Sequence, residues 1–286
     1  MNDAIKIVEC PRDAMQGWNH FIPTADKINY LNTVLQVGFD TIDFGSFVSP
    51  KAIPQLKDTR EVLAKLDLTN TKSKLLAIIA NTRGAEEAAA FSQIDYLGYP
   101  FSVSETFQLR NANATMIQSL ATVEKISDIC RSANKKLVVY ISMAFGNPYG
   151  DAYSQEQVFE WVHKIAGLGI DIVSLADTVG VASAEQVYSI TDYLIKSMPG
   201  QEFGVHLHSG PGNRQEKLQA ALDAGCRRFD GALKGIGGCP MADDVLVGNM
   251  NTEWMMDYFE TKGFSAGIDK KALQIASDLA GKIFIS

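Results

Sequence analysis

Two of the chain's four histidines stand two residues apart in Val205-His206-Leu207-His208. In an extended strand, residues i and i+2 point to the same face, so the two imidazoles project side by side. Paired neutral imidazoles are a common start of a transition-metal site. Ser209-Gly210-Pro211-Gly212-Asn213 follows at once, which places the pair at the carboxyl end of its strand, where α/β folds keep their chemistry. A lone His-x-His is equally well a pair of packed histidines, so the reading needs partners from elsewhere in the chain. Asp13 supplies a hard anionic oxygen and Asn249 a neutral carbonyl oxygen. With two imidazole nitrogens they form a mixed, single-anion set that suits a divalent ion with positions left open for substrate oxygens. Magnesium or manganese comes first, with zinc as the alternative. Taken singly, Asp13 reads as a helix cap or surface carboxylate and Asn249 as a cap at the head of the next helix; their convergence is what favours the metal.

Arg12 beside Asp13 is either a structural ion pair or a fixed cation for an enolate or carbonyl oxygen on which charge develops. Gly235-Ile236-Gly237-Gly238-Cys239-Pro240 is a glycine-rich loop that presents a thiol, unlike the packed environment of most buried cysteines. Cys10, Cys130 and Cys226 read as packing residues, and His20 and His163 as ordinary histidines. Gly210-Pro211-Gly212 imitates a dinucleotide fingerprint, but its third glycine position is Gln215. The sequence holds no Walker loop, no Gly-x-Ser-x-Gly elbow and no His-Glu-x-x-His.

Several elements must bring these residues together. Alternation over 5–10 predicts a first strand that ends at Pro11, and 41–44, 74–79, 94–97, 137–142 and 170–175 read as the next five. The seventh carries the histidines and the eighth lies near Arg228-Phe229-Asp230. Between them the spacing predicts helices, including one capped by Thr24, one over 84–91, a long one over 113–132, and two opened by capping boxes at Ser154/Gln157 and Ser183/Gln186. Helices over 252–263 and 269–283 close the chain. Polar residues collect just after the strands: Arg12, Asp13 and Gln16, then Asp43, Asn147 and Asp151, Ser174 and Asp177, His206 and His208, Cys239, and Asn249. That distribution predicts an α/β fold, a (β/α)8 TIM barrel with an appended C-terminal helix. No linker or composition shift divides residues 1–286, so one domain is expected.

Composition agrees with such a fold. The 286 residues are 46% hydrophobic and 21% charged, enough for a sizeable core. A formal charge of −7 argues against a duplex nucleic-acid partner, whose footprint needs a basic surface. Scattered cysteines without Cys-x-x-Cys predict a reduced compartment. Charged residues near the start leave no signal-peptide run, and no uncharged stretch is long enough for a membrane span. The expectation is a cytoplasmic protein without membrane partners.

Assembled, these residues make the sequence resemble the 3-hydroxy-3-methylglutaryl-CoA lyase branch of the barrel metallolyases. The likeness runs from Glu9 to about Glu253. It rests on Pro11-Arg12-Asp13 with Gln16, Ser46-Phe47-Val48-Ser49-Pro50-Lys51, Asn111-Ala112-Asn113, Pro148-Tyr149, Ser174-Leu175-Ala176-Asp177-Thr178-Val179-Gly180, His206-Leu207-His208, Gly237-Gly238-Cys239-Pro240 and Gly248-Asn249. The resemblance implies a divalent cation, usually magnesium, on Asp13, His206, His208 and Asn249, with an acyl-CoA as substrate and a homodimer as assembly. It implies that Arg12 steadies an enolate oxygen and that His206 and Cys239 take part in proton transfer. Gln16, Ser174 and Asp177 would face the substrate. The implied reaction cleaves 3-hydroxy-3-methylglutaryl-CoA to acetyl-CoA and acetoacetate, with another 3-hydroxyacyl-CoA or a 2-oxo acid as the alternative. Four departures stand out. Asp43 replaces a longer Glu among the catalytic residues, and Ser209-Gly210 replaces Asp-Thr. Cys10 stands in place of two residues, and Asn19 lies near a family Lys. A catalytically silent barrel that only binds metal would need neither Arg12 nor Cys239.

Overall fold

A computed structural model describes residues 4–238 and 247–284. Eight parallel strands close into a barrel in chain order, β1 to β8, with β1 paired to β8. They are β1 (Lys6–Glu9), β2 (Thr41–Ser46), β3 (Lys74–Ile78), β4 (Tyr96–Ser102), β5 (Lys136–Ser142), β6 (Ile172–Ala176), β7 (Glu202–His206) and β8 (Arg228–Gly231). The helices are α1 (Pro11–Gln16), α2 (Thr24–Leu35), α3 (Thr59–Leu63), α4 (Thr82–Ala89), α5 (Glu105–Ala112), α6 (Met116–Ser132), α7 (Gln155–Ala166), α8 (Ala184–Ser197), α9 (Arg214–Asp223), α10 (Thr252–Thr261) and α11 (Lys270–Ile283). The predicted TIM barrel and its extra C-terminal helix, α11, are both present. Among the described residues no helix is long and apolar enough to cross a membrane.

Hydrophobic burial is divided between two layers. The larger core lies between strands and helices, where outward strand residues such as Ile7, Leu75, Val139 and Val205 meet the inner helix faces. A small second cluster of Leu76, Ile78, Val138 and Ile172 fills one side of the barrel interior, with Tyr96 and Tyr140 against it. The other side is polar. Arg228, 2% exposed, lies over the Tyr96 ring and pairs with Asp40 at 3.1 Å. Alternation along β8 then points Asp230 to the same interior face, one layer nearer the carboxyl ends.

Two local predictions change. The long helix expected over 113–132 begins later, at Met116, because Asn113 adopts φ 49° and closes a preceding helix, α5, in the left-handed region that Asn tolerates. A full capping box of Thr115 and Gln118 then opens α6. At α7 only half of the expected box forms: Ser154 accepts from the Gln157 amide, while the Gln157 side chain donates to the Val103 carbonyl. The Ser183/Gln186 box at α8 is complete.

Glu9 fastens the closing seam of the barrel. Its side chain, fully buried, accepts from the Leu233 N–H at 2.8 Å and from the Thr252 hydroxyl at 2.6 Å. Burial pushes its carboxyl up to about 8, with the hydrogen bonds from Thr252 and Leu233 opposing. A carboxyl raised above its unfolded value contributes most to stability at low pH, and that contribution is lost as pH climbs toward the folded value. Glu9→Gln mimics the protonated acid, its amide nitrogen turned to the Thr252 oxygen. Parent stability, measured by urea unfolding, is expected to fall relative to Glu9→Gln between pH 5 and pH 8. Parallel pH profiles for the two proteins would contradict this.

Candidate active site

Pro11 lacks an N–H and has a fixed φ, which suits the first turn of a helix. The chain therefore passes from β1 straight into α1, and Arg12, Asp13 and Gln16 stand over the carboxyl ends of the strands. Arg12 is held on three sides. Its Nε and Nη2 donate to Asp43 Oδ2 at 2.9 and 2.6 Å, and its Nη1 donates to Asp13 Oδ1 at 3.0 Å and Gln16 Oε1 at 2.8 Å. A guanidinium has five N–H donors, so these bonds use four; among the described residues the fifth, on Nη2, finds no acceptor. Burial alone would lower the Arg12 pKa, but Asp43 and Asp13 outweigh it and hold it above its ordinary value. Asp43 is itself pushed up to about 6 by burial, against the pull of Arg12, and its Oδ1 has no partner among the described residues.

The two histidines are oriented by different devices. His206 pairs in register with Asp230 across β7 and β8, and its Nδ1 lies 3.1 Å from Asp230 Oδ2. Burial would lower the His206 pKa, but the Asp230 carboxylate prevails and raises it. Nδ1–H donated to a carboxylate fixes the tautomer in which Nε2 keeps its lone pair, the usual outer support of a metal-bound imidazole. His208 is 3% exposed; its ring bonds to the Thr178 backbone and its Nε2 meets no partner among the described residues. Burial and the neighbouring His206 push its pKa down to about 4, so it is neutral at pH 7. The ring centroids are 5.2 Å apart.

Asp13 completes the cluster. Burial would raise its pKa, but Arg12 and the histidines bring it down to about 2, so it is ionised. Ligand atoms of Asp13, His206 and His208 all lie within 4.8 Å of one another. Asn249 forms an antiparallel bridge with His208, and its Nδ2 donates to Asp13 Oδ2 at 2.7 Å and to the Ile236 carbonyl at 2.9 Å. Asn249 is therefore no helix cap. Asn251 caps α10, accepting from the Trp254 N–H. A Cβ on Gly237, φ +103°, would stand 2.5 Å from Asn249 Nδ2, so the glycine-rich loop is glycine here because it presses against this amide.

These residues fit a divalent cation. Asp13, Asp43 and Asp230 with Arg12 carry a net −2 when all are ionised, and among the described residues the His208 Nε2 and Asp230 Oδ1 are buried without partners. Orphaned buried acceptors are costly unless something binds them. One nitrogen–oxygen donor set with a single ligating carboxylate is the chemistry of magnesium or manganese, with zinc admissible. Cys10 Sγ also lies within 4.8 Å of His206 and Asp230 donor atoms. Burial and four nearby carboxylates push its thiol well up, so it stays protonated and is a poor ligand.

The other expected residues are placed as follows. Gln16 braces Arg12. Ser174 lies inside the barrel, 1% exposed, with its hydroxyl unpartnered among the described residues. Asp177 does not face the barrel mouth as a substrate contact would: Oδ2 takes Lys217 Nζ at 2.7 Å and Oδ1 takes the Ala182 N–H at 3.0 Å, inside the fold. Asn147 orders its own loop by accepting from the Asp151 N–H, and Asp151 ties that loop to the start of α5 by accepting from Ser104 and Thr106. Cys239 lies outside the described residues. Asp230 was missed as a site residue, although Arg228-Phe229-Asp230 puts two charged residues on one face of a core strand, which is the signal that could have found it. Asp230→Asn leaves the packing but frees the His206 tautomer. Mn2+ affinity, read by titration of free Mn2+, is expected to fall about 10- to 100-fold; an unchanged affinity would count against the tautomer argument.

A family model described as HMGL-like matches residues 4–280. The chain belongs to the HMGL-like family. It is similar to hydroxymethylglutaryl-CoA lyase YngG of Bacillus subtilis, 32% identical over 88% of this chain and 84% of the relative. It is also similar to (R)-citramalyl-CoA lyase of Chloroflexus aurantiacus, 30% identical over 96% of this chain and 90% of that one. Among solved structures, an HMG-CoA lyase of Acinetobacter baumannii in complex with coenzyme A and 3-methylmalate superposes with TM-score 0.90 at 33% identity, covering 98% of this chain and 92% of that chain. Membership of the HMGL-like family, with relatives named hydroxymethylglutaryl-CoA lyase, makes the chain a carbon–carbon lyase.

Proposed function

We propose that the protein is a metal-dependent acyl-CoA lyase that cleaves 3-hydroxy-3-methylglutaryl-CoA to acetyl-CoA and acetoacetate. The observation that carries this reading is the joining of Asp13, His206 and His208 to a guanidinium through one carboxylate, since Asp13 bonds Arg12 on one oxygen and Asn249 on the other. Asp13, His206 and His208 would hold the cation, with Asn249 at its edge. A divalent ion bound there supplies a Lewis acid that lowers the pKa of a substrate hydroxyl and orients it.

The remaining work belongs to the chain itself. The tertiary hydroxyl loses its proton, the bond between the carbinol carbon and the thioester α-carbon breaks, and the electron pair moves onto the thioester as an enolate. The Nη2–H of Arg12 that meets no acceptor among the described residues would serve this developing charge, and Asp43 keeps the guanidinium from rotating away. Arg12 thus acts as a preorganised oxyanion donor. His206, with Nδ1–H committed to Asp230, would give its Nε2 to the cation, so taking up the hydroxyl proton and returning one to the enolate carbon fall to Cys239, the other residue the resemblance implies for proton transfer. Asp43 is one methylene shorter than the Glu of the resembling enzymes and Ser209 is smaller than their Asp, and these two departures bear on which acyl group is accepted.

The name of one relative favours a second reading, a related 3-hydroxyacyl-CoA such as citramalyl-CoA. A thioester panel assayed for acetyl-CoA release separates the two. The first reading expects 3-hydroxy-3-methylglutaryl-CoA to give the highest kcat/KM with Mg2+ or Mn2+; a metal-loaded protein that leaves this thioester intact while cleaving another would replace it with the second.

A further inference from the structure

Lys217 on α9 is 1% exposed, and its side chain runs inward beside Leu218 and Ala221 rather than into solvent. A buried ammonium is expensive unless every donor is met. Its three N–H donors meet three acceptors: Asp177 Oδ2 at 2.7 Å, the Gly180 carbonyl at 3.0 Å and the His208 carbonyl at 3.0 Å. Two of these belong to the loop after β6, and the third is the backbone of a residue whose ring faces Asp13 and His206. The same loop also reaches the ring of His208, through the Thr178 backbone. Thr178 lies between Asp177 and Gly180, both of which Lys217 grips, and its hydroxyl is fixed by the Met143 N–H at 2.9 Å. Beyond His208 the chain is tied to the segment before Asn249, the Ser209 N–H donating to the Gly248 carbonyl at 3.0 Å, while the His208 carbonyl is the one Lys217 takes.

We propose that Lys217 is a positioning residue of the metal centre: its ammonium clamps the β6–α8 loop to the His208 carbonyl and so aims the His208 Nε2 at the cation shared with Asp13 and His206. His206 and His208 are then oriented from opposite sides of β7, the first by the Asp230 carboxylate and the second by a carbonyl that a buried ion pair holds in place. Through the bridge between His208 and Asn249, the same clamp registers the fourth residue of the cluster. The inference rests on the metal-dependent reading above.

Lys217→Met alone leaves Asp177 buried without its cation and can fail to fold, so the informative variant is Lys217→Met with Asp177→Asn. This pair is neutral, keeps the volume, and leaves an amide oxygen at position 177 that still accepts from the Ala182 N–H. Mn2+ binding is measured by electron paramagnetic resonance of free Mn2+, on folded protein with no substrate present. The double variant is expected to bind at least about tenfold more weakly than the parent. Ile126→Ala, in the core of α6 and away from the site, is the control. It lowers the melting temperature of the metal-free protein and leaves the Mn2+ affinity unchanged. A double variant that binds Mn2+ as tightly as the parent overturns the role of Lys217 and leaves the metal site standing. An equal loss of affinity in Ile126→Ala also overturns it, by assigning the effect to general destabilisation. A parent that binds no Mn2+ overturns both readings together.

Discussion

Arg12→Gln is expected to lower kcat of the metal-saturated enzyme by about 10²- to 10³-fold, the usual cost of removing one oxyanion donor, with KM moved much less. The interaction is strongest when charge has developed, so its loss falls on the chemical step rather than on binding. A second effect accompanies the first. Asp43, with a side chain 1% exposed, loses its counter-ion, and removing one member of a buried pair costs about 3–5 kcal/mol. The two effects separate on Arg12→Gln with Asp43→Asn, in which no buried charge is stranded. Urea unfolding is expected to return toward the parent in this double variant while kcat stays low. If kcat recovers with stability, Arg12 acts as a structural ion pair and the oxyanion role is wrong.

Asp13→Asn is expected to raise the Mn2+ dissociation constant by more than about 100-fold. Loss of an outer-shell partner alone costs about 10- to 100-fold, and Asp13 is the sole anionic member of the Asp13–His206–His208 group. The substitution keeps shape and removes one charge. Its effect should persist across the working pH range, because the Asp13 carboxyl, pulled down to about 2, is ionised throughout. His208, pushed down to about 4, likewise offers no proton for the metal to displace above pH 5. The assay is Mn2+ titration of the purified protein, followed by activity at saturating metal. An affinity within threefold of the parent would remove Asp13 from the ligand set and leave the two histidines without an anion.

The sequence and the structure divide the account unevenly. Period-2 and period-3.6 patterns are local, so the eight strands, their order and the extra helix could be read directly from residue spacing. The side-chain types after each strand were also legible: two imidazoles, a carboxylate beside a guanidinium, and an amide. Their companions were less so. Asp177 reads like the other polar residues after strands, yet it is consumed by Lys217, forty positions away. Asn249 reads like a helix cap, yet Asn251 does that work and Asn249 bonds Asp13.

By itself, then, the order of residues determined a closed α/β barrel and the inventory of groups at one rim, because hydrophobic periodicity and strand ends are properties of short segments. Only the tertiary structure decided which of those groups are free. Whether a carboxylate, an imidazole or an ammonium faces a ligand or another side chain depends on partners brought near by barrel closure, over separations such as the 24 residues between His206 and Asp230. Desolvation by burial then sets which of them carry charge.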